Sequence, residues 1–94
     1  MTLAEVERKL GEVTAADWFP LGVQLGIESA KLREIEKDHP GDVQRCKTEV
    51  LDWWLRNSPE ISWQKLAQAL KAIGGYVHLV QRLERSGAYA LGLL

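Results

Sequence analysis

Cysteine is almost absent from this 94-residue chain: Cys46 stands alone, so no disulfide can close within it. Proline is scarce too, with only Pro20, Pro40 and Pro59, which leaves long stretches free to be helical. No apolar run reaches 18 residues, so the sequence carries no candidate membrane-spanning helix. Neither sign of charge dominates. Lys and Arg number 12 and Asp and Glu 13, for a net charge of −1, and the signs are interspersed. The basic excess or stripe expected of a nucleic-acid binder is therefore missing. The opening MTLAEVERKL is acidic and amphipathic, without the basic start and apolar stretch of a secretion signal. With one unpaired cysteine, a reducing, cytoplasmic setting is expected.

What is present is an ordinary globular balance of 46 % hydrophobic and 27 % charged residues. A chain of this length makes one domain and buries roughly 60–65 % of its unfolded surface, enough for one core. Breaks fall at Gly11, Gly26, His39-Pro40-Gly41, Asn57-Ser58-Pro59 and Gly74-Gly75. Between them the apolar residues recur at helical spacing, not at the alternation of strands.

Six segments follow. The first, about Leu3 to Glu12, puts Leu3, Val6, Leu10 and Val13 on one stripe, behind a Thr2/Glu5 capping box. The second begins after Thr14, where Asp17 repeats the capping pattern. Trp18, Leu21, Gly22 and Leu25 share a face, and Phe19 and Val23 predict cover on a second side. Pro20 comes early enough to be tolerated or to kink the helix, and Gly26 stops it with Ile27 as the closing apolar contact. The third, about Ser29 to Lys37, has only Leu32 and Ile35 inward, with Ala30 at the margin, and needs packing to persist. The fourth, capped by Asp42 and running to Asn57, carries an apolar arc roughly 200° wide at about 100° per residue. Val43, Val50 and Trp54 lie along its middle, with Leu51, Leu55, Cys46 and Trp53 beside them. So broad an arc predicts a central helix. The fifth starts at Ser62 and buries Trp63, Leu66, Ala67, Leu70 and Ile73. The sixth, about Tyr76 to Arg85, buries Tyr76, Leu79, Val80 and Leu83. Short loops between six such helices predict an all-α bundle of antiparallel neighbours.

Order and spacing together resemble the death domains of the death-fold superfamily. The residues that carry the resemblance are Trp18, Leu21 and Leu25-Gly26-Ile27, then Leu32, Ile35 and Glu36, then Asp42. Leu51-Asp52-Trp53-Trp54 matches the family's Leu-x-x-Trp, with Trp54 as the family tryptophan. Trp63 to Leu70 with Ala69, then Ile73-Gly74, complete the pattern. It covers about Leu3 to Glu84 and departs from the family after Arg85 and at Gly74-Gly75, which lacks an acidic residue. The resemblance implies a six-helix antiparallel Greek-key bundle over residues 1–85, with 86–94 as a C-terminal tail or linker. It implies a module without catalytic activity or cofactor that binds other death domains, its own kind or a partner, as oligomers or filaments. Such members act as adaptors in apoptosis and innate immune signalling.

Catalytic readings are poorly supplied. Cys46, beside Trp53 on the apolar arc, reads as a small core residue rather than a nucleophile activated by His39. His39 in its loop and His78 near Arg82 and Arg85 read as solvated, and two histidines with one cysteine do not make a zinc site. Gly74-Gly75 lacks the strand and lysine of a phosphate loop. Trp18, Trp54 and Trp63 read as core, whereas Trp53, at the arc's edge, is a candidate anchor. The tail is apolar at Tyr89, Leu91, Leu93 and Leu94, but Gly87 and Gly92 argue against a helix there. A helix-turn-helix nucleic-acid binder is the alternative, yet its best recognition segment, Lys31 to Lys37, holds Glu34 and Glu36. A small helical ligand carrier would need polar groups on inward faces, which are all apolar. The candidate interface is therefore Glu5, Arg8, Lys9 and Glu12 on the first helix and Lys31, Arg33, Glu34, Lys37 and Asp38 on the third. Asp42, Arg45, Trp53 and Arg56 on the fourth complete it. Two unlike patches meeting head to tail propagate rather than close, and a net charge near zero favours association.

Overall fold

The computed structural model describes residues 1–90, with side chains described through Arg85. Six α-helices follow one another: α1 (Leu3–Lys9), α2 (Trp18–Gln24), α3 (Ser29–Asp38), α4 (Val43–Asn57), α5 (Trp63–Ile73) and α6 (Val77–Ala90). A short 3-10 turn, Ala15–Asp17, leads into α2. No strand occurs among the described residues.

Helix starts follow the expected chemistry at three places. The Thr2 hydroxyl accepts the Glu5 amide at 3.2 Å while the Glu5 carboxylate accepts the Thr2 amide at 3.2 Å, closing the capping box. Asp42 accepts the Arg45 amide at 3.0 Å and Ser62 the Lys65 amide at 3.1 Å. Thr14 departs from expectation: its side chain makes no cap bond. Pro20 falls in the first turn of α2, where its missing N–H has no intrahelical partner to lose. At the exit of α2, the Ile27 amide donates to the Gly22 carbonyl at 3.0 Å and the Gly26 amide to the Val23 carbonyl at 3.1 Å. This double closure requires Gly26 at a φ of 85°, a value a side chain resists.

α4 is the centre of the bundle. It packs against α1, α2, α3 and the 3-10 turn, while α2 also packs on α5 and α5 on α6. Val50, Leu51 and Trp54 from α4 meet Leu21, Leu32, Leu66, Leu70 and Leu83 in one core, nearly all without exposure. Burying each such side chain contributes about 1.5–3 kcal/mol. α3 enters with Leu32 and Ile35 alone.

Several expectations change. Val43 is exposed, not central, and Trp63 is only half-buried. Each opens its helix, and side chains lean toward the N-terminus, so a first-turn residue overhangs the helix end. Val23 is exposed; Phe19 alone gives α2 its second cover, meeting Trp18 edge-on at 5.4 Å between ring centroids. Ala30 is also exposed. α6 does not stop at Arg85 but continues through Gly87 to Ala90. A helical glycine costs about 1 kcal/mol against alanine, too little to end a helix already nucleated. Of the tail, Leu91 to Leu94 lie outside the described residues.

Candidate protein-interaction surface

The faces of α1, α3 and α4 hold the charged residues singled out in the sequence, but the structure uses them differently. On α1, Glu5 is turned to Thr2, whose hydroxyl and amide hold its carboxyl below the usual glutamate range. The Lys9 ammonium sits 5.6 Å from the centre of the Trp63 ring on α5, a cation over an aromatic face. Glu12 pairs with Arg82 of α6. Arg8 and Lys9 are exposed with no ion pair among the described residues, and Arg8 has no aromatic contact either.

On α3, Lys31 pairs with Glu34 at 3.2 Å. Arg33, Lys37 and Asp38 are exposed and unpaired among the described residues, as is Glu36, which was not in the candidate set. On α4 the pattern reverses. Asp42 serves as cap, Arg45 Nε meets Glu49 at 3.2 Å, and Arg56 meets Asp52 at 2.8 Å. Trp53 is half-buried against the core, and its carbonyl accepts the Asn57 amide group at 2.9 Å.

Cys46 is 2 % exposed, and its thiol donates to the carbonyls of Ile35 at 3.9 Å and His39 at 3.6 Å. Burial, then the nearby Asp42, Glu36 and Glu49 carboxylates, push its pKa up, away from thiolate chemistry. The His39 imidazole turns elsewhere, with Nε2 3.9 Å from Glu49, so this histidine is half-buried rather than freely solvated. His78 is exposed. No group of His, Cys, Asp or Glu among the described residues is placed to hold a metal ion, and no helix among them is long and apolar enough to cross a membrane.

Two structural residues escaped the sequence reading. Lys47 is only 4 % exposed, and its ammonium donates to the carbonyls of Leu10 at 2.8 Å and Val13 at 2.7 Å. Burial holds its pKa below the usual lysine value; the Glu7 carboxylate opposes this. A signal existed, since Lys47 lies three residues before Val50 and seven before Trp54, in the middle of the α4 arc. The Tyr76 hydroxyl, expected only to be inward, donates to Asp17 Oδ2 at 2.7 Å and accepts the Thr14 amide at 3.1 Å. Burial, then that bond to Asp17, push its pKa up.

The surface that results is a set of exposed charges on α3, largely unpaired among the described residues, facing away from the core. Such a surface suits the binding of another protein. No curated protein and no solved structure matches this chain. The family model described as Death domain matches residues 3–86. An all-helical bundle with its tryptophan-centred α4, matched over nearly its full length, places the chain in the death-domain family, a family of protein–protein interaction modules.

Proposed function

We propose that this domain assembles with its own kind, or with a partner death domain, through unlike charged faces meeting head to tail. One face is built on α3 with Arg33, Lys37 and Asp38. The other lies on α1 and α4, where the exposed Glu12 and Asp42 carboxylates stand among Arg8, Arg45 and Arg56 and offer partners to Arg33 and Lys37. The observation that carries the reading is the α3 surface. In a protein that satisfies most of its other charges internally, Arg33, Lys37 and Asp38 remain exposed and without ion pairs among the described residues. Contacts between two different patches leave a free copy of each patch at the ends of every assembly, so growth into oligomers or filaments is open. Exposed charges also make such growth sensitive to salt. An adaptor role in cytoplasmic apoptotic or innate immune signalling is the setting that fits this activity.

Light scattering against concentration and salt, with negative-stain imaging, tests the proposal. Large assemblies that shrink as salt rises, and that Arg33→Glu abolishes, are the expected result. A domain that stays monomeric at high concentration and physiological salt, alone and mixed with other death domains, overturns it.

A further inference from the structure

The segment Gly11–Asp17 joins α1 to α2 with little bonding of its own. Within it the amides of Val13 and Asp17 donate to Leu10 and Thr14 at 3.0 Å, and the Gly11 bond to Arg8 is long at 3.4 Å. It is instead gripped from outside, by two side chains distant in sequence. From α4, the Lys47 ammonium holds the carbonyls at both ends of the first half, Leu10 and Val13. From the residue just before α6, the Tyr76 hydroxyl holds the Thr14 amide and the Asp17 carboxylate of the second half. Glu12, between them, pairs with Arg82. Among these residues Val13 alone is an apolar side chain buried in the core, at 2 % exposure.

We propose that Gly11–Asp17 is a strap that opens independently of the bundle, with Lys47 and Tyr76 as its two clasps. Three features support it. Apart from Val13 and the packing of its 3-10 turn on α4 and α2, the strap is held by polar bonds at its margin and sets no other large apolar side chain in the core, and segments so held occupy the low end of local stability. The helix before it, α1, has seven residues, too few to stand without packing. The core formed by α2, α4 and α5 closes without it, because Trp18, Leu21, Leu66 and Leu70 lie outside the strap. Opening would uncover Val13 and the Lys47 ammonium side by side. It would also release Glu12 from Arg82, so the domain would present two different surfaces at the α1 end. This device does not depend on the homotypic reading above. It concerns which surface exists, not what binds it.

Hydrogen exchange by NMR on the whole chain tests it. The informative amides are Val13 and Asp17, which donate to the Leu10 and Thr14 carbonyls and not to a clasp; Tyr76 touches neither acceptor, and for Lys47, which shares the Leu10 carbonyl with Val13, Asp17 is the reporter. In the wild type they are expected to exchange at least about tenfold faster than Val50, Leu66 and Leu70. Tyr76→Phe, which keeps the ring and removes both hydroxyl bonds, should speed Val13 and Asp17 roughly tenfold more and leave Leu66 and Leu70 unchanged. Lys47→Met should do the same at Asp17 where it folds. The inference is overturned if Val13 and Asp17 exchange in step with Leu66 and Leu70 in wild type and Tyr76→Phe alike, since the strap would then open only on global unfolding. It is equally overturned if Tyr76→Phe leaves Val13 and Asp17 unchanged.

Discussion

α3 and α4 are neighbours in the chain and in space, and both are rich in charge, yet they spend it in opposite ways. α4 consumes its charges at home: Asp42 caps, Arg45 and Arg56 pair one turn away, and Lys47 is drawn into the core. α3 pairs Lys31 with Glu34 and leaves Arg33, Glu36, Lys37 and Asp38 to solvent. The apolar sides differ as well. α4 buries Cys46, Val50, Leu51 and Trp54, α3 only Leu32 and Ile35. The difference teaches that composition does not separate a structural helix from a presenting one. What separates them is whether each charge has a partner within the fold.

The sharpest test of that division is to remove α4's anchor. Trp54 is 2 % exposed in the middle of the core. Trp54→Ala should cost about 3–5 kcal/mol, measured by urea denaturation, whereas no single α3 surface substitution should approach this. A loss below about 1 kcal/mol would show that α4 is not the centre of the fold.

Next comes the buried cation. Lys47→Ala removes the donor from the Val13 carbonyl and leaves the Leu10 carbonyl with the Val13 amide alone, and should cost about 1–3 kcal/mol. The pH dependence carries a sign. Because burial lowers its folded pKa below the reference 10.5, the unfolded chain holds this proton to higher pH than the folded protein. In the window just below 10.5 the unfolded state thus binds more protons, and stability rises with pH. Wild type should therefore gain on Lys47→Met as pH climbs through that window. Tyr76 runs the other way, its folded pKa being raised, but it is present in both proteins and cancels from the comparison. A gap that narrows with rising pH would contradict the assignment.

Much of this division was written in the sequence, and the exceptions have physical causes. The stripes of α1, α3 and α5, the Asp42 and Ser62 caps and the Gly26 stop were legible because each depends on local spacing or backbone chemistry. Val43 and Trp63 were misplaced because periodicity treats a helix as endless and ignores the overhang of its first turn. The place of Lys47 in the α4 arc marks it as inward, but its partners, Leu10 and Val13, lie 37 and 34 residues away, and long-range carbonyls leave no mark on local pattern. The candidate interface could be drawn as charged faces but not sorted. That Glu12 is taken by Arg82, 70 residues distant, while Arg33 has no ion pair among the described residues, follows from the tertiary arrangement alone.

A smaller effect tests how α3 is held. Gly22 of α2 lies against Leu32, and a Cβ built at Gly22 would come within 2.5 Å of the Leu32 Cδ2 atom. Leu32 has no exposure, so its side chain has little space to retreat into. Gly22→Ala should therefore cost about 1–3 kcal/mol by overpacking, offset in part by alanine's better helix propensity. Thermal unfolding measures it. A stabilised variant would mean that Leu32 swings aside freely and that α3 is more loosely docked than its burial implies.

The smallest stability effect is the one that bears most on function. Arg56→Ala removes a partner 2.8 Å from Asp52 on an exposed helix face. Pairs of this kind, one turn apart, contribute about 0.3–0.5 kcal/mol, and salt screens them. Arg33→Ala removes no ion pair among the described residues, so its effect on stability should be indistinguishable from zero. If charge on α3 serves binding, the order must invert when association is measured: Arg33→Ala should weaken assembly more than Arg56→Ala. The inversion is informative because neither substitution disturbs the core, so a loss of assembly cannot be read as a loss of fold. The same order in both measurements would place the contact on α4, and the free charges of α3 would then be a solvated face and nothing more.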